Sequence, residues 1–271
     1  MEQMNLSFST LGCPNWTWRE IISAAVDLQY NGIELRGIGA DIFLPKIDLF
    51  SPERIRDTRA ELAAKGLSIP CVTSDVCLHL DDKDYTASGR LYIALAANIG
   101  AKYVRLLGDT GPAPLPYVND ALILSRLKEL APIAEASGVV LLIETNGVFA
   151  ETARLRKLIL EVNSPAVQVL WDLHHPVRYF HEPVELTYRN IGEFVRHVHI
   201  KDSVEENGVL HYKMVGYGDL PIGECLKTLK YHNYDGFISL EWTKRWNMEL
   251  EDAGIVFSHF AYAVRRLWDK A

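Results

Sequence analysis

Eight times along the 271 residues, a short run of apolar or β-branched residues is followed by a longer stretch whose apolar positions recur at helical spacing. This alternation constrains the fold more than any other feature of the chain, because strand and helix taking turns is the pattern of a parallel α/β sheet rather than of separate blocks. The runs read as strands over residues 6–11, 32–36, 69–74, 103–107, 139–145, 167–173, 195–201 and 236–242. Helix signals fall between them. Thr17 followed by Glu20 forms a capping box, and Ser51 before Pro52 reads as a cap with a first-turn proline. Gly32, Gly66, Gly100 and Gly138 stand where left-handed C-terminal caps are expected.

Eight such units over about 250 residues is the count of a closed (β/α)8 TIM barrel. The alternative, an open doubly wound sheet, lacks its fingerprint: the first strand–helix junction, Leu11-Gly12-Cys13-Pro14-Asn15-Trp16, has no GxGxxG turn. With 48% hydrophobic and 23% charged residues the chain suits one large core, and no linker interrupts it, so residues 1–271 are expected to form a single α/β domain.

The net charge of −7 disfavours nucleic acid or an anionic membrane as partner, since both require a basic footprint. A small molecule is the expected ligand, and self-association is left open. Cys13, Cys71, Cys77 and Cys225 show no CxxC pairing, which fits a reducing cytoplasm. Residues Met1 to Asn5 carry no basic leader, and no run reaches the roughly 18 apolar residues of a membrane span.

Reactive groups of a (β/α)8 barrel project from the C-terminal ends of its strands. There strand five carries Glu144, strand six Asp172 with His174 and His175 just beyond, strand seven His197, His199, Lys201 and Asp202, and strand eight Glu241. Any one of these could be a hydrogen-bonded residue at a sheet end. Three carboxylates buried together repel one another and resist desolvation, and a divalent cation cancels that repulsion. Two glutamates, an aspartate and an imidazole suit Mn²⁺, Mg²⁺, Co²⁺ or Zn²⁺. His197 and His199 share parity, with His199 nearer the open end. Asp202 or another carboxylate is expected behind the imidazole as its acceptor.

These motifs resemble the xylose-isomerase-like barrels, a family that includes ketose 3-epimerases, hydroxypyruvate isomerase, inosose-processing enzymes and the repair nuclease endonuclease IV. The resemblance covers essentially the whole chain. It is carried by Gly32-Ile33-Glu34-Leu35, Glu144-Thr145-Asn146, Trp171-Asp172-Leu173-His174-His175, His197-Val198-His199-Ile200-Lys201-Asp202, Gly216-Tyr217-Gly218-Asp219-Leu220-Pro221 and Glu241-Trp242. It implies one divalent metal, manganese first among the candidates, held by Glu144, Asp172, His199 and Glu241. It further implies that Glu144 and Glu241 exchange protons with the substrate from opposite faces, and that His175 contacts the substrate. The implied activity is isomerisation or epimerisation of a keto-sugar through an enediolate.

Further substrate contacts are expected from Glu34, Arg105, Lys201 and His79, although a Glu–Arg pair could equally stabilise the barrel. Lys244 and Arg245, after strand eight, raise a phosphorylated or carboxylated substrate, against the plainer reading of solvated cations at a helix start. Trp16 and Trp18 are expected to wall the pocket or to pack at a helix start.

A lyase or dehydratase acting on a cyclic polyol ketone is the runner-up, because it too begins with α-proton abstraction. The nuclease branch adds an Asp-x-His triplet that is absent between His211 and Pro221. A non-catalytic sugar-binding barrel leaves the carboxylate cluster without a purpose.

Overall fold

The structure is a computed structural model that describes residues 4–81 and 84–271; Met1 to Gln3, read above as leaderless, lie outside the described residues. In chain order its regular elements are β1 (Asn5–Ser9), α1 (Trp18–Asp27), β2 (Gly32–Glu34), α2 (Ile55–Ala64), β3 (Cys71–Cys77), α3 (Tyr85–Ile99), β4 (Tyr103–Leu107), α4 (Asp120–Ala136) and β5 (Val140–Glu144). There follow α5 (Thr152–Val162), β6 (Val167–Asp172), α6 (His174–Phe180), α7 (Val184–Ile191), β7 (Val195–Ile200), β8 (Asp202–Glu206), β9 (Val209–Lys213), α8 (Ile222–Tyr231), β10 (Phe237–Leu240) and α9 (Ala253–Lys270).

Eight parallel strands run in the order β2-β1-β10-β7-β6-β5-β4-β3. The seam between β2 and β3 is closed by backbone hydrogen bonds from Ile33 to Ser68, Leu35 to Cys71 and Thr73 to Leu35, at 2.9, 3.1 and 2.7 Å. The expected (β/α)8 barrel is therefore the observed architecture.

Side chains alternate across each strand, so each strand contributes one row to the interior and one to the helices. Outward residues such as Phe8, Val72, Val104, Ile143, Trp171, Val198 and Ile238 join the main core beneath the helices. Cys71, Tyr103, Leu142 and Leu170 form a separate apolar cluster inside the barrel. Two residues further along those same strands stand Thr73, Arg105, Glu144 and Asp172, which places a polar layer directly above an apolar floor.

The capping box at α1 is present, with Thr17 N–H donating to Glu20 Oε2 at 2.7 Å and Glu20 N–H to Thr17 Oγ1 at 3.4 Å. Gly66, Gly100 and Gly138 have φ of 67°, 82° and 68°, as left-handed caps require. Gly32 does not. It lies within β2, and the left-handed residue after α1 is Gln29. Gly32 is there for space: a Cβ would meet the Phe237 ring at 2.8 Å and Pro70 at 2.9 Å. Ser51 opens a turn before α2 rather than capping it, since Arg54 and Ile55 donate to the Ser51 carbonyl and the helix proper starts at Ile55. The third strand starts later than expected and runs to Cys77, with a register shift between Thr73 and Cys77.

One addition was not expected from the sequence. β8 and β9 form an antiparallel hairpin after β7, closed by Asn207 and Gly208 at φ of 54° and 75°, the signature of a primed two-residue turn. Among the described residues no helix is long and apolar enough to cross a membrane. All four cysteines are buried and stand outside any disulfide.

Candidate metal centre

Glu144, Asp172, His199 and Glu241 each offer a ligand atom within 4.8 Å of the others, and all four side chains are buried. All four come from neighbouring strands, with Glu144 ending β5, Asp172 on β6 in register with His199 on β7, and Glu241 one residue beyond β10. His199 Nδ1 lies 3.7 Å from Glu144 Oε1, 3.9 Å from Asp172 Oδ2 and 3.5 Å from Glu241 Oε1.

The orientation of that ring is fixed from behind. His199 Nε2 donates to both oxygens of Glu34, at 2.9 and 3.0 Å, so Nδ1 faces the three carboxylates. Glu34 also accepts from His197 Nε2 at 2.8 Å and from Thr73 Oγ1 at 2.6 Å. The expected acceptor behind the imidazole is therefore Glu34. Asp202 is engaged elsewhere, accepting backbone N–H bonds from Ser203, Gly216, Gly218 and Leu220.

Whether this donor set fits a metal turns on His199 Nδ1, which is buried without a hydrogen-bond partner. Ligands about 2.1 Å from a shared ion stand roughly 3.0–3.5 Å apart, and the three distances from His199 Nδ1 to the carboxylates, 3.5, 3.7 and 3.9 Å, lie at or just beyond that range. An orphaned imidazole nitrogen facing three carboxylates is the arrangement a divalent ion satisfies.

Charge in the cluster is only partly balanced within the protein. Lys201 donates to Asp172 Oδ2 and to Glu241 Oε2, and Arg105 Nε stands 3.2 Å from Glu144 Oε2. Burial alone would raise the Glu144 carboxyl, but Arg105 and His199 outweigh it and hold the carboxyl below the ordinary range. Burial likewise opposes charge on Lys201, and Asp172 with Glu241 reverses that and holds its ammonium protonated. Against two permanent cations stand four carboxylates, those of Glu34, Glu144, Asp172 and Glu241.

A cavity of about 390 Å³ opens beside the cluster, lined among others by Arg36, Arg105, Glu144, His175, Lys201, Tyr212, Glu241 and Trp246. The His175 ring is anchored by an Nδ1–H bond to the Thr145 carbonyl at 2.9 Å, which leaves Nε2 as a bare acceptor. Asp172 is braced by its backbone N–H donating to Thr145 Oγ1 and by Oδ1 accepting from the His174 N–H, both at 2.8 Å.

Of the expected substrate contacts, His175, Arg105 and Lys201 line this cavity. Glu34 does not; it is fully buried beneath His199. Lys244 is also occupied elsewhere, donating to the carbonyls of Met248 and Leu250 and pairing with Asp252 at 3.0 Å, so it folds its own loop. Arg245 donates to the Gly39 carbonyl at 2.9 Å and is absent from the lining. His79 is half-buried and outside the lining. Trp16 stacks edge-on against Phe257, and Trp18 donates to Glu61, so both pack around α1 rather than wall the cavity.

Tyr212 and Arg36 are among the lining residues that the sequence did not single out. Tyr212 arrives on the hairpin, whose signal was the Asn207-Gly208 pair between alternating residues. Arg36 ends the second expected strand, where the strand-end rule applied to it as much as to Glu144.

Comparison with known proteins gives a family match over residues 22–257 to the model described as xylose isomerase-like TIM barrel. Among curated proteins, 2-epi-5-epi-valiolone 7-phosphate 2-epimerase of Actinoplanes sp. is 34% identical over 95 residues, which is 34% of this chain and 34% of that protein. The chain thus matches about a third of that relative's length. Fructoselysine 3-epimerase of Shigella flexneri is 25% identical over 80% of this chain and 82% of its own. The zinc-bound IOLI protein superposes with a TM-score of 0.80 at 18% identity, covering 98% of this chain and 99% of that one.

Proposed function

The chain belongs to the xylose isomerase-like TIM barrel family, and on that footing we propose that it is a divalent-metal-dependent isomerase or epimerase of a keto-sugar or related polyhydroxylated carbonyl compound. The observation that carries this reading is the orphaned His199 Nδ1 set among Glu144, Asp172 and Glu241 at the wall of a cavity of sugar size. Two epimerases among the relatives and zinc in one structural neighbour support it. Manganese is our first candidate, with magnesium, cobalt and zinc compatible with the same donors. A reducing cytoplasm and a freely diffusing substrate complete the proposal.

A bound divalent ion supplies Lewis-acid polarisation of a substrate carbonyl and its neighbouring hydroxyl. The protein's own part is proton transfer. Glu144 and Glu241 come from opposite ends of the β5–β6–β7–β10 run, so they approach a substrate seated between them from two sides. One removes the α-proton to give an enediolate and the other returns a proton. Arg105 keeps Glu144 ionised and so able to accept a proton, and as a weakened base it acts only toward an acidified carbon. Lys201 offers an ammonium to the developing oxyanion, and His175 Nε2 accepts a substrate hydroxyl.

The test is proton–deuterium exchange followed by NMR across a panel of ketoses, inososes and keto acids with Mn²⁺ added. Exchange at one carbon, abolished by chelator, is expected. Loss of water in place of exchange would instead point to a dehydratase, and absence of both across the panel would remove the proposal.

A further inference from the structure

Two guanidiniums share the cavity wall with the metal cluster, and neither is satisfied there. Arg105 is 5% exposed, yet its Nε and Nη1 make no hydrogen bond; the contact of Nε with Glu144 Oε2 at 3.2 Å is off the donor direction. Arg36 is 8% exposed and has no carboxylate within ion-pairing distance among the described residues. Its own contacts are a long 3.4 Å bond to the Ile42 carbonyl and the face of the Trp246 indole, 5.7 Å from the guanidinium carbon to the ring centre. Burial together with the charge of Arg105 lowers the Arg36 pKa to about 10.

Unpaired buried cations are costly, and two that repel each other more so. Structural arginines normally spend most of their donors on the protein, and Arg126, Arg154 and Arg178 each make three hydrogen bonds here. Arg36 and Arg105 hold donors in reserve at a concave surface instead. Planar forks with free N–H groups match a carboxylate or phosphate. Lys244 is taken up by backbone carbonyls, and Arg245, whose Nη2 donates to the Gly39 carbonyl, lies outside the cavity lining.

We infer that Arg36 and Arg105 form a subsite for an oxyanion, a carboxylate or phosphate carried by the substrate, in the cavity beside the metal centre. The inference deepens the keto-sugar reading and rests on it for the identity of the rest of the ligand. It makes the preferred substrates sugar acids or sugar phosphates rather than neutral sugars.

The experiment is calorimetric titration of full-length protein with inorganic phosphate and, separately, acetate at constant ionic strength, both in chelator, so that neither anion can ligate a metal, and after loading with Mn²⁺. Saturable binding of at least one anion without metal is expected, weakened about tenfold or more in Arg36→Gln. It should be unchanged in the control Lys227→Gln on α8. Tighter phosphate points to phosphorylated substrates and tighter acetate to sugar acids. No saturation by either anion, or equal binding by parent and Arg36→Gln, overturns the subsite. Arg36→Lys, which keeps the charge and loses the fork, gives an intermediate affinity and serves should the glutamine variant not fold. Mn²⁺ binding read on the same samples separates the two claims: it is intact in Arg36→Gln if only the subsite fails, and absent from the parent if the metal reading fails.

Discussion

Glu34 grips His199 with both carboxylate oxygens, at 2.9 and 3.0 Å from Nε2, and by doing so aims Nδ1 at three other carboxylates. The proposed four-residue metal site therefore depends on a residue outside its own donor set. Glu34→Gln presents an amide N–H to an imidazole N–H and loses half of that grip. The expected result is a 10–100-fold weaker Mn²⁺ affinity by calorimetry, the usual cost of removing an outer partner. Unchanged affinity would show that the ring is held by something else.

Metal binding should release a proton. Burial opposes charge on His199, but Glu34, Glu241 and Glu144 outweigh it, so without metal the ring stays protonated well above its usual pKa. A ligating Nδ1 must be bare, so apparent affinity should rise about tenfold per pH unit until the folded pKa is passed, and then level. The raised pKa also gives the metal-free protein a stability term that is full below about pH 6.5 and lost as pH rises through the folded value. Melting curves should show the chelated protein weakening at alkaline pH while the loaded protein does not. Parallel pH dependence of the two forms would contradict this.

Ligand removal should uncouple stability from metal. An ion present at 100 times its Kd stabilises the folded state by about 2.7 kcal/mol, so chelator should lower the parent's melting temperature. Asp172→Asn and His199→Ala should abolish the Mn²⁺-dependent shift. A variant that retains the full shift has lost a residue that is not a ligand.

The loop that follows the hairpin is held by one carboxylate. Asp202 accepts N–H bonds from Gly216 and Gly218 at 2.8 and 3.0 Å, and a Cβ on Gly218 would stand 2.0 Å from Asp202 Oδ1. Asp202→Ala should cost about 2–4 kcal/mol by leaving these donors unpaired, and Gly218→Ala should destabilise through the clash. Denaturant titration measures both. Near-parental stability in either would mean that the loop relaxes freely.

The barrel was legible because period and punctuation agreed over the whole chain, and Glu144, Asp172, His199 and Glu241 were legible because strand parity and the open end of a barrel are sequence properties. What lay beneath and beside them was not. Glu34 stands at a strand end like the others, and only its contact with His199 across 165 positions of sequence shows that it faces inward to a ring rather than to the cavity. Lys244 and Arg245 looked free because their acceptors are backbone carbonyls, which every sequence offers everywhere. The hairpin carried a readable turn at Asn207-Gly208, but the strand–helix rhythm left no place for it.

The central claim is that Glu144 and Glu241 carry the proton and do not merely hold a metal. It is tested most directly by measuring substrate α-proton exchange and net turnover in D₂O for Mn²⁺-loaded Glu144→Gln, Glu241→Gln and the double variant. Each amide keeps an oxygen for the metal and lacks the base. The account predicts turnover reduced about 10²–10⁴-fold in each single variant, exchange surviving in one of them from its remaining face, and neither activity in the double variant. Near-parental turnover in both single variants with metal still bound would contradict it and leave the two glutamates as ligands alone.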